Sequence, residues 1–402
     1  MYSLLKGTTI LDLTTIVLGP YATQFLGDFG ADVIKIENLS GDLFRTVRPG
    51  RSKEMGAGFM NCNRNKRSIA MDLKTPEGKN ILARLVKQAD VVVHNMRSST
   101  AKRLGVDYAS LKAINSKIVY CFAPGFGQSG KYSEKPAYDD IIQAESGVAY
   151  LNRDAQGQPK FIPTIICDKV GGMHLAMAVL AGLNYRLRCD EGCVIETPMF
   201  EGMVSFLMTE QLAGETFVPP IGGTGYERLN SPYRRPFPTA DGYISILPYS
   251  TRHWQKFFAL VGRDDMVNSE IVTDPVLRSE NVGSLYKIVS ECTPDKSTDQ
   301  WCEALGNIDV PFAPVNDVAS LLNDPHLTSQ NFFTEYDHPT EGRLRNAASP
   351  FFAEGIDQVN DIPPPRLGQD TADILQNLGF QTSEIDAMQN ANVVLCQANE
   401  KK

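Results

Sequence analysis

The sequence has no concentration of positive charge and no long apolar segment. Its 402 residues contain no run of five basic residues and carry a formal net charge of −8. Nucleic acids and anionic membrane surfaces attract proteins through clustered positive charge, so neither partner is expected. No apolar stretch reaches the length of a membrane span, and residues 1–7 lack the apolar core of a signal peptide. These absences predict a cytoplasmic protein.

Patterns of metal-binding and disulfide-bonded residues are missing as well. Cys189 and Cys193 are the closest pair of the eight cysteines, and their spacing matches no zinc site. The five histidines form no HExxH motif. Several cysteines lie in apolar segments, which favours buried, reduced thiols over a disulfide framework. We therefore expect no metal site.

The bulk composition indicates a globular protein. The chain is 42% hydrophobic and 21% charged, as folded proteins usually are. A chain of this length exceeds what one hydrophobic core supports. We expect two domains, or one large domain with an excursion.

Strands and helices alternate through the first 122 residues. Apolar patterning predicts strands at 9–13, 32–36, 68–73, 90–94 and 117–122, with helices at 20–29 and 77–88 and a helix that ends at 111–115. Pro20 suits a first helical turn, where its missing N–H has no partner to lose. Such alternation is typical of a mainly parallel, doubly wound sheet, so the predicted fold class is α/β and Rossmann-like.

The second half of the chain follows a different pattern. Residues 170–183 are apolar on nearly every helical face, so this helix must be buried in a domain core or an oligomer interface, being too short for a membrane span. Residues 219–238 show little periodicity and many Gly and Pro residues, and a strand at 243–247 and a helix at 253–261 follow. The predicted organisation is a large domain at 1–218, a linker at 219–240, a smaller α+β domain at 241–320 and a return segment at 321–402.

A glycine-rich segment, Gly125–Gly130, fits the pattern GxGxxG after a predicted strand. It continues into Lys131, but Tyr132 replaces the Ser or Thr that a P-loop needs. Both nucleotide motifs also require a helix directly afterwards, whereas Pro136 indicates a loop. A loop that closes over a ligand is the favoured interpretation.

Basic residues cluster in two places along the predicted sheet. One group spans Asn63–Arg67 and continues at Asp72–Lys74, and the other comprises Asn95–Arg97 with Lys102 and Arg103. The second group follows the strand at 90–94, and open α/β sheets bind ligands at the carboxyl ends of their strands. The two groups could hold the phosphates of a coenzyme, or they could be solvated surface charge.

Two aspartates are candidates for chemistry. Asp168 precedes the predicted helix at 170–183, and capping the N-terminus of that helix is the ordinary role for such a residue. The same place also suits a reactive carboxylate, because a helix N-terminus favours an anion while apolar neighbours remove its water. Asp139 is the weaker candidate, because nothing in its flanks distinguishes it from a loop residue.

Short motifs follow one another in a fixed order along almost the whole chain. They are Leu11-Asp-Leu-Thr14 with Gly19-Pro20, Gly30-Ala-Asp-Val-Ile-Lys-Ile-Glu37, Asn65-Lys-Arg-Ser68 with Asp72-Leu-Lys74, His94-Asn-Met-Arg97 with Arg103-Leu-Gly105, Gly125–Gly130, Tyr138-Asp139, Asp168, Pro314-Val-Asn316, Asp324-Pro325, Phe332-Phe333 and Arg366-Leu-Gly368. This ordered set resembles the class III CoA-transferase family, the CaiB/BaiF-like enzymes.

The resemblance implies a homodimer of two interlocked rings, each with a Rossmann-like CoA-binding domain and a small domain. It also implies that Asp168 attacks an acyl-CoA thioester, forming a mixed anhydride and then an aspartyl-CoA thioester that a free carboxylic acid resolves. CoA and acyl-CoA are substrates, and neither a metal, ATP nor a permanently bound cofactor is needed. Asp139 is the second catalytic candidate, and the residues implied to contact CoA are Leu73, Lys74, Asn95, Met96, Arg97, Arg103, Lys135 and Tyr138.

Departures from related enzymes disfavour racemase chemistry and oxalate as the acceptor, and one departure raises a further alternative. α-Methylacyl-CoA racemases resembling this family carry a histidine where Tyr138 precedes Asp139, and a glutamate that is missing from residues 248–252. Formyl-CoA transferases carry Gln at the position of Val17 and a glycine run that is not found after Gly242. Asn38 stands where relatives often have a basic residue, so a CoA-binding homologue without turnover is a further alternative. The arginines that could pair with a second carboxylate of an acceptor, unless they are ordinary surface residues, are Arg51, Arg234 and Arg235.

Overall fold

The computed structural model describes residues 1–397, apart from the side chain of Glu227. The chain forms two compact units. Of the described residues, the larger unit contains 1–207 and 333–397, and the smaller unit is Met208–Phe332.

The strands, in chain order, are β1 Thr9–Leu13, β2 Asp32–Glu37, β3 Lys66–Met71, β4 Val91–His94, β5 Val119–Phe122, β6 Cys193–Glu196, β7 Phe237–Pro238, β8 Tyr243–Ile246, β9 Phe312–Pro314, β10 Phe333–His338, β11 Gly342–Ala347 and β12 Val394–Leu395. The α-helices are α1 Leu18–Asp28, α2 Ala57–Met60, α3 Pro76–Gln88, α4 Ser98–Leu104, α5 Tyr108–Lys112, α6 Asp139–Glu145, α7 Val148–Leu151, α8 Ile166–Cys189, α9 Met199–Gln211, α10 Glu227–Asn230, α11 Thr251–Leu260, α12 Asp264–Val267, α13 Glu270–Thr273, α14 Pro275–Glu280, α15 Val282–Cys292, α16 Thr298–Gly306, α17 Pro325–Ser329, α18 Thr371–Asn377 and α19 Thr382–Asn390.

A seven-stranded sheet organises the larger unit, with the order β12-β3-β2-β1-β4-β5-β6. Its strand pairs are parallel except for β12, which runs antiparallel to β3. The order 3-2-1-4-5-6 within it is that of doubly wound dinucleotide-binding folds, and it reverses direction between β1 and β4. The predicted mainly parallel α/β sheet is confirmed, and the reversal marks the edge where a ligand is expected.

Both faces of this sheet are covered, which explains why its strands are apolar at successive positions. On β1, Ile10 packs in one cluster with residues of α1 and α8, while Leu11 packs in the opposite cluster with residues of α3. On β4, Val91 and Val93 face the first cluster and Val92 faces the second. Side chains alternate across a strand, so each strand serves two hydrophobic layers.

The smaller unit has its own core. The antiparallel strands β7, β8 and β9 form a three-stranded sheet that packs with the helices α11, α12, α13, α15 and α16. Trp254, Phe257, Phe258 and Trp301 are its largest buried side chains. The Trp301 indole N–H donates to the Thr293 carbonyl, so the polar atom of this buried ring is also satisfied.

Several predicted elements are confirmed closely, and the apolar helix after Asp168 is confirmed but is longer than predicted. The strand at 9–13 has the predicted ends, and α3 differs from its predicted range by one residue. The apolar helix predicted at 170–183 is longer, because α8 covers Ile166–Cys189. The predicted range was too short to cross a membrane, whereas α8 is long and apolar enough to do so. More than half of its apolar stretch is, however, buried within the fold.

Candidate active site

The carboxyl ends of β1 to β5 surround two neighbouring cavities of the larger unit. One has a volume of about 560 Å³ and the other about 220 Å³, and Thr15 lines both. Thr15 follows β1 at the point where the strand order reverses. Its backbone N–H donates to the Asn95 side chain at 3.0 Å, and the Asn95 amide group donates back to the Thr15 carbonyl at 3.0 Å. These two hydrogen bonds join the ends of β1 and β4.

The larger cavity is mainly apolar, and polar groups also line it. Of the predicted CoA contacts, Leu73, Lys74 and Met96 line it. Its other apolar side chains are Leu13, Ile36, Leu39, Met71 and Leu104. Lys74 is exposed and has no ion pair among the described residues. The cavity is therefore suited to a flat, weakly polar ring with an anionic group near Lys74. Asn38 also lines it.

The smaller cavity contains Asp168. Four predicted CoA contacts, Asn95, Arg97, Lys135 and Tyr138, line the same cavity. The Lys135 ammonium lies 3.8 Å from the centre of the Tyr132 ring and 3.2 Å from the Glu145 carboxylate. Arg97 is exposed and makes no ion pair with a described residue. One carboxylate and two cationic side chains thus share this cavity.

Two predicted site residues line neither cavity. Arg103 is exposed in the last turn of α4. Asp139 is buried at the start of α6, and both of its carboxylate oxygens accept hydrogen bonds. The first oxygen accepts from the backbone N–H groups of Cys167 at 2.7 Å and Asp168 at 3.1 Å. The second accepts from the Gln143 side chain at 2.6 Å.

Asp139 therefore has the capping role that the sequence suggested for Asp168. The first N–H groups of a helix lack partners within it, and here a carboxylate from α6 accepts from two of them. Asp168 is not the N-cap, because α8 begins at Ile166 and Asp168 lies in its first turn. The reason is tertiary, since the cap lies 29 residues before the helix residue that it holds. The Asp168 side chain is left free for another role.

The Asp168 carboxylate is electrostatically unusual. Among the described residues, no group donates a hydrogen bond to it and no cation pairs with it. Burial, and then the negative charge of Asp139, raise its pKa to about 7. Its position in the first turn of α8 favours the anion, so the side chain remains ionisable near neutral pH. A poorly solvated carboxylate of this kind is a stronger nucleophile than one in water.

A buried charge network holds the loop after β1, and sequence reasoning missed it. The backbone N–H of Ile16 donates to both carboxylate oxygens of Asp42, at 3.0 and 3.2 Å. The Lys35 ammonium donates to Asp42 at 3.1 Å and to the Thr14 carbonyl at 2.9 Å. Ile16 has a φ of 70°, which is costly for a β-branched residue and needs such support. Lys35, charged and in the middle of an apolar strand, was the available signal.

Close approach requires glycine at two places near the smaller cavity. A Cβ at Gly19 would lie 2.1 Å from the Thr14 Cβ, and one at Gly125 would lie 2.2 Å from the Ala137 Cβ. The segment Gly125–Gly130 is a loop, as predicted, and the next helix is α6. Within it, the N–H groups of Gly127 and Gln128 already donate to Glu201 and Glu196. These two amides are consequently occupied and are poor candidates for holding an oxyanion.

The described residues include no disulfide bond and no cluster of metal-binding side chains. The eight cysteines are all unpaired, and Cys121 and Cys167 are buried while Cys189 is exposed. Residues 1–397 contain no group of three or more His, Cys, Asp or Glu side chains placed to hold a metal ion. Asp168 is the described carboxylate that lines the smaller cavity.

The chain is similar in sequence to several characterised enzymes. It is 29% identical to human succinyl-CoA:glutarate CoA-transferase over 97% of this chain and 90% of that protein. It is 30% identical to succinyl-CoA:mesaconate CoA-transferase of Haloarcula hispanica, over 93% of this chain and 96% of that one. The (R)-2-hydroxy-4-methylpentanoate CoA-transferase of Clostridioides difficile is 28% identical over 97% and 99% of the two chains.

Solved structures and a family model agree with these relatives. A CaiB/BaiF family protein from Brucella suis superposes with a TM-score of 0.79 at 30% identity, covering 94% of this chain and all of that one. Rv3272 from Mycobacterium tuberculosis gives 0.80 at 28% identity, covering 92% and 98%. The model of CoA-transferase family III matches residues 5–371. The chain therefore belongs to CoA-transferase family III, the CaiB/BaiF family of enzymes.

Proposed function

We propose that this enzyme transfers CoA from an acyl-CoA to a free carboxylic acid, with Asp168 as the residue that is acylated. The observation that carries the proposal is the Asp168 carboxylate itself, which lines the smaller cavity and has no hydrogen-bond or ion-pair partner among the described residues. A carboxylate that only stabilised the fold would accept hydrogen bonds or form an ion pair, because a charge that is withdrawn from water without a partner is costly.

The proposed reaction exchanges one thioester for another. An Asp168 oxygen attacks the acyl carbon, the C–S bond breaks, and CoA departs as a thiolate. Asp168 then carries the acyl group as an acyl-aspartyl anhydride. The thiolate then attacks the aspartyl carbon and releases the donor acid, giving an aspartyl-CoA thioester. The acceptor carboxylate displaces CoA thiolate from that thioester, and the thiolate attacks the acceptor's acyl carbon. This last step forms the new acyl-CoA and restores Asp168.

CoA itself is proposed to extend across both cavities. The apolar walls around Leu73 and Met96 suit the adenine ring, with Lys74 near the phosphates. Asn95, Arg97, Lys135 and Tyr138 line the cavity of Asp168 and suit the pantetheine and thioester end. Arg103 stays in this proposal only as a phosphate contact from the exposed surface of α4.

The acids are proposed to be short dicarboxylic acids. Succinate and glutarate, or succinate and mesaconate, appear in the names of relatives 29–30% identical to this chain. The Clostridioides difficile relative acts on a monocarboxylic hydroxy acid, so family membership alone leaves the acid open.

The two alternatives predicted from the sequence are less well supported. Racemisation needs a second group that can exchange a proton with the α-carbon. Tyr138 replaces the expected histidine, and the oxygens of Asp139 are engaged by backbone and side-chain donors. A CoA-binding homologue without turnover has no need for a half-buried, unpaired carboxylate. Deuterium entering the α-carbon without an acceptor acid would favour the racemase.

A homodimer in the cytoplasm is also proposed. Met173, Met177 and Leu180 follow one face of α8 and are 36–56% exposed in the single chain. An exposed apolar stripe on a helix that is otherwise in the core is typical of an oligomer interface. Light scattering of the purified protein should give the mass of a dimer, and Met177→Lys should lower that mass.

Trapping the acylated enzyme tests the proposed function. The protein is incubated with succinyl-CoA and then hydroxylamine, and its peptides are analysed by mass spectrometry. We expect modification of Asp168, because hydroxylamine cleaves an anhydride or thioester at that carboxyl to a hydroxamate. Asp140→Asn, a change at an exposed neighbour on α6, is the matched control and should label normally. Unmodified Asp168 together with unchanged turnover of Asp168→Asn would refute the proposal.

A further inference from the structure

Three arginines of the smaller unit surround a cavity of about 240 Å³. They are Arg228, in α10, and the consecutive residues Arg234 and Arg235, just before β7. The backbone N–H groups of Arg234 and Arg235 donate to the carbonyls of Ser231 and Tyr233, forming a turn. Two consecutive side chains of an extended strand would point apart, and the turn lets both line the same cavity.

The positive charge of this cavity is not neutralised by the described residues. None of the side chains lining it is acidic. The Arg228 guanidinium donates to the Tyr286 hydroxyl at 3.0 Å, which is a neutral partner. Arg234 and Arg235 make no side-chain hydrogen bond or ion pair within the part of the chain that the structure describes. Unpaired guanidinium groups are suited to binding carboxylates in a two-point manner.

The size and walls of the cavity restrict the ligand. Phe237 and Ile246, each 3% exposed, line it with Pro236 and Leu247. These apolar surfaces suit a short methylene chain. The volume is below the roughly 300–1,000 Å³ of pockets that hold drug-sized ligands, so a whole CoA molecule is too large. Three cations and apolar walls match a small acid with two carboxylates better than an acid with one.

We propose that this cavity binds a short-chain dicarboxylate through Arg228, Arg234 and Arg235. Its role as the site that recognises the free acid rests on the proposed transfer function, whereas the binding itself does not. The cavity lies within the smaller unit and contains none of the residues predicted to contact CoA. It adds a determinant of substrate class to a part of the chain for which the sequence predicted none beyond Arg234 and Arg235.

Direct binding tests the site without turnover. Calorimetric titration of the full chain with glutarate is compared with pentanoate, which has the same carbon chain and one carboxylate. We expect glutarate to bind more tightly than pentanoate, and Arg234→Gln and Arg235→Gln each to weaken glutarate by about 10- to 100-fold, as charged hydrogen bonds do. Arg235→Lys should recover part of the loss. Arg263→Gln, which removes an exposed arginine paired with Asp265, is the matched control.

Steady-state kinetics distinguish this proposal from the proposed function. The arginine variants should raise the KM for glutarate and leave the KM for acyl-CoA and the thermal midpoint close to those of the parent. Unchanged glutarate binding in the double variant Arg234→Gln/Arg235→Gln would overturn the proposal, as would weak and equal binding of glutarate and pentanoate. A larger KM for acyl-CoA but not for its dephospho form would also overturn it, since the cavity would then hold the 3′-phosphate. Arginine-dependent binding without any transfer would refute the function and support the site.

Discussion

Asp12 is a fully buried carboxylate of the larger unit and Asp168 is a half-buried one, and their surroundings shift their pKa values in opposite directions. Burial acts on the pKa of both side chains by raising it. At Asp12, the charges of Lys66 and Lys35 and the hydroxyls of Thr14 and Thr23 outweigh burial and lower the pKa to about 2. At Asp168, the nearest charge is the like charge of Asp139, and the pKa rises to about 7.

The difference separates a structural carboxylate from a reactive one. Asp12 accepts hydrogen bonds from Thr14 and Thr23 at 2.5 and 2.6 Å and from Lys66 at 3.1 Å, so its lone pairs are in use. The Asp168 carboxylate lines a cavity, and the backbone N–H group of Asp168 donates to the Asp139 carboxylate. Both occur close to the reversal point between β1 and β4, so the partners rather than the fold class decide which carboxylate can react.

The largest expected effect concerns activity. Asp168→Asn should lower kcat for CoA transfer by roughly 10³-fold or more, because it removes the nucleophile. Asp12→Asn should instead lower the amount of folded enzyme. Coupled assays of CoA transfer on folded protein, with circular dichroism as a check, measure this. A kcat of Asp168→Asn within tenfold of the parent value would show that Asp168 is not the nucleophile.

The next effect concerns the stability of the buried pair. Lys66→Met leaves Asp12 without its ammonium partner, and breaking a buried pair costs roughly 3–5 kcal/mol in the free energy of unfolding. Chemical denaturation at pH 7 measures the change. The double variant Asp12→Asn/Lys66→Met should recover part of the loss, because no uncompensated charge remains. Equal destabilisation by the single and double variants would contradict this account.

A smaller effect of opposite sign is expected for the stability of Asp168→Asn. Between about pH 4 and pH 7 the folded protein binds more protons at Asp168 than the unfolded chain does, so stability falls as pH rises through that window. The ionised side chain therefore destabilises the fold above pH 7. Asp168→Asn should unfold at a higher temperature than the parent at pH 8, by a few degrees, and with little difference at pH 4. Asp12 contributes in the reverse sense, and its stabilisation is lost as pH falls from its ordinary pKa of 3.8 through about 2.

The smallest expected effect is a shift in the pH dependence of turnover. The nucleophile is the ionised form, so kcat/KM for acyl-CoA should rise with pH and level off above about 7. Asp139→Asn keeps an oxygen to accept from the Asp168 N–H but removes the like charge. The midpoint should consequently move to lower pH, by less than about one unit. Asp140→Asn, at the next position of α6, is the control.

Local patterns predicted most of the larger unit, because its strands are buried on both faces and the helix α3 is amphipathic. The strand at 9–13 and the helix α3 needed no information from elsewhere in the chain. Eight predicted site residues line the two cavities, because residues that follow parallel strands meet at one edge of the sheet. Arg103 was grouped with Arg97 by sequence distance, but a helix separates the two side chains.

What the sequence determined by itself was the order of strands and helices, the apolar faces of the sheet and the family, since each depends on residues close together or on an ordered set of motifs. Only the tertiary structure decided which aspartate caps α8, which charges support Ile16 and which arginines share a cavity. The acidity of Asp168 belongs to this second group. It depends on desolvation and on a charge 29 residues away in the chain, and neither quantity exists until the elements have packed together.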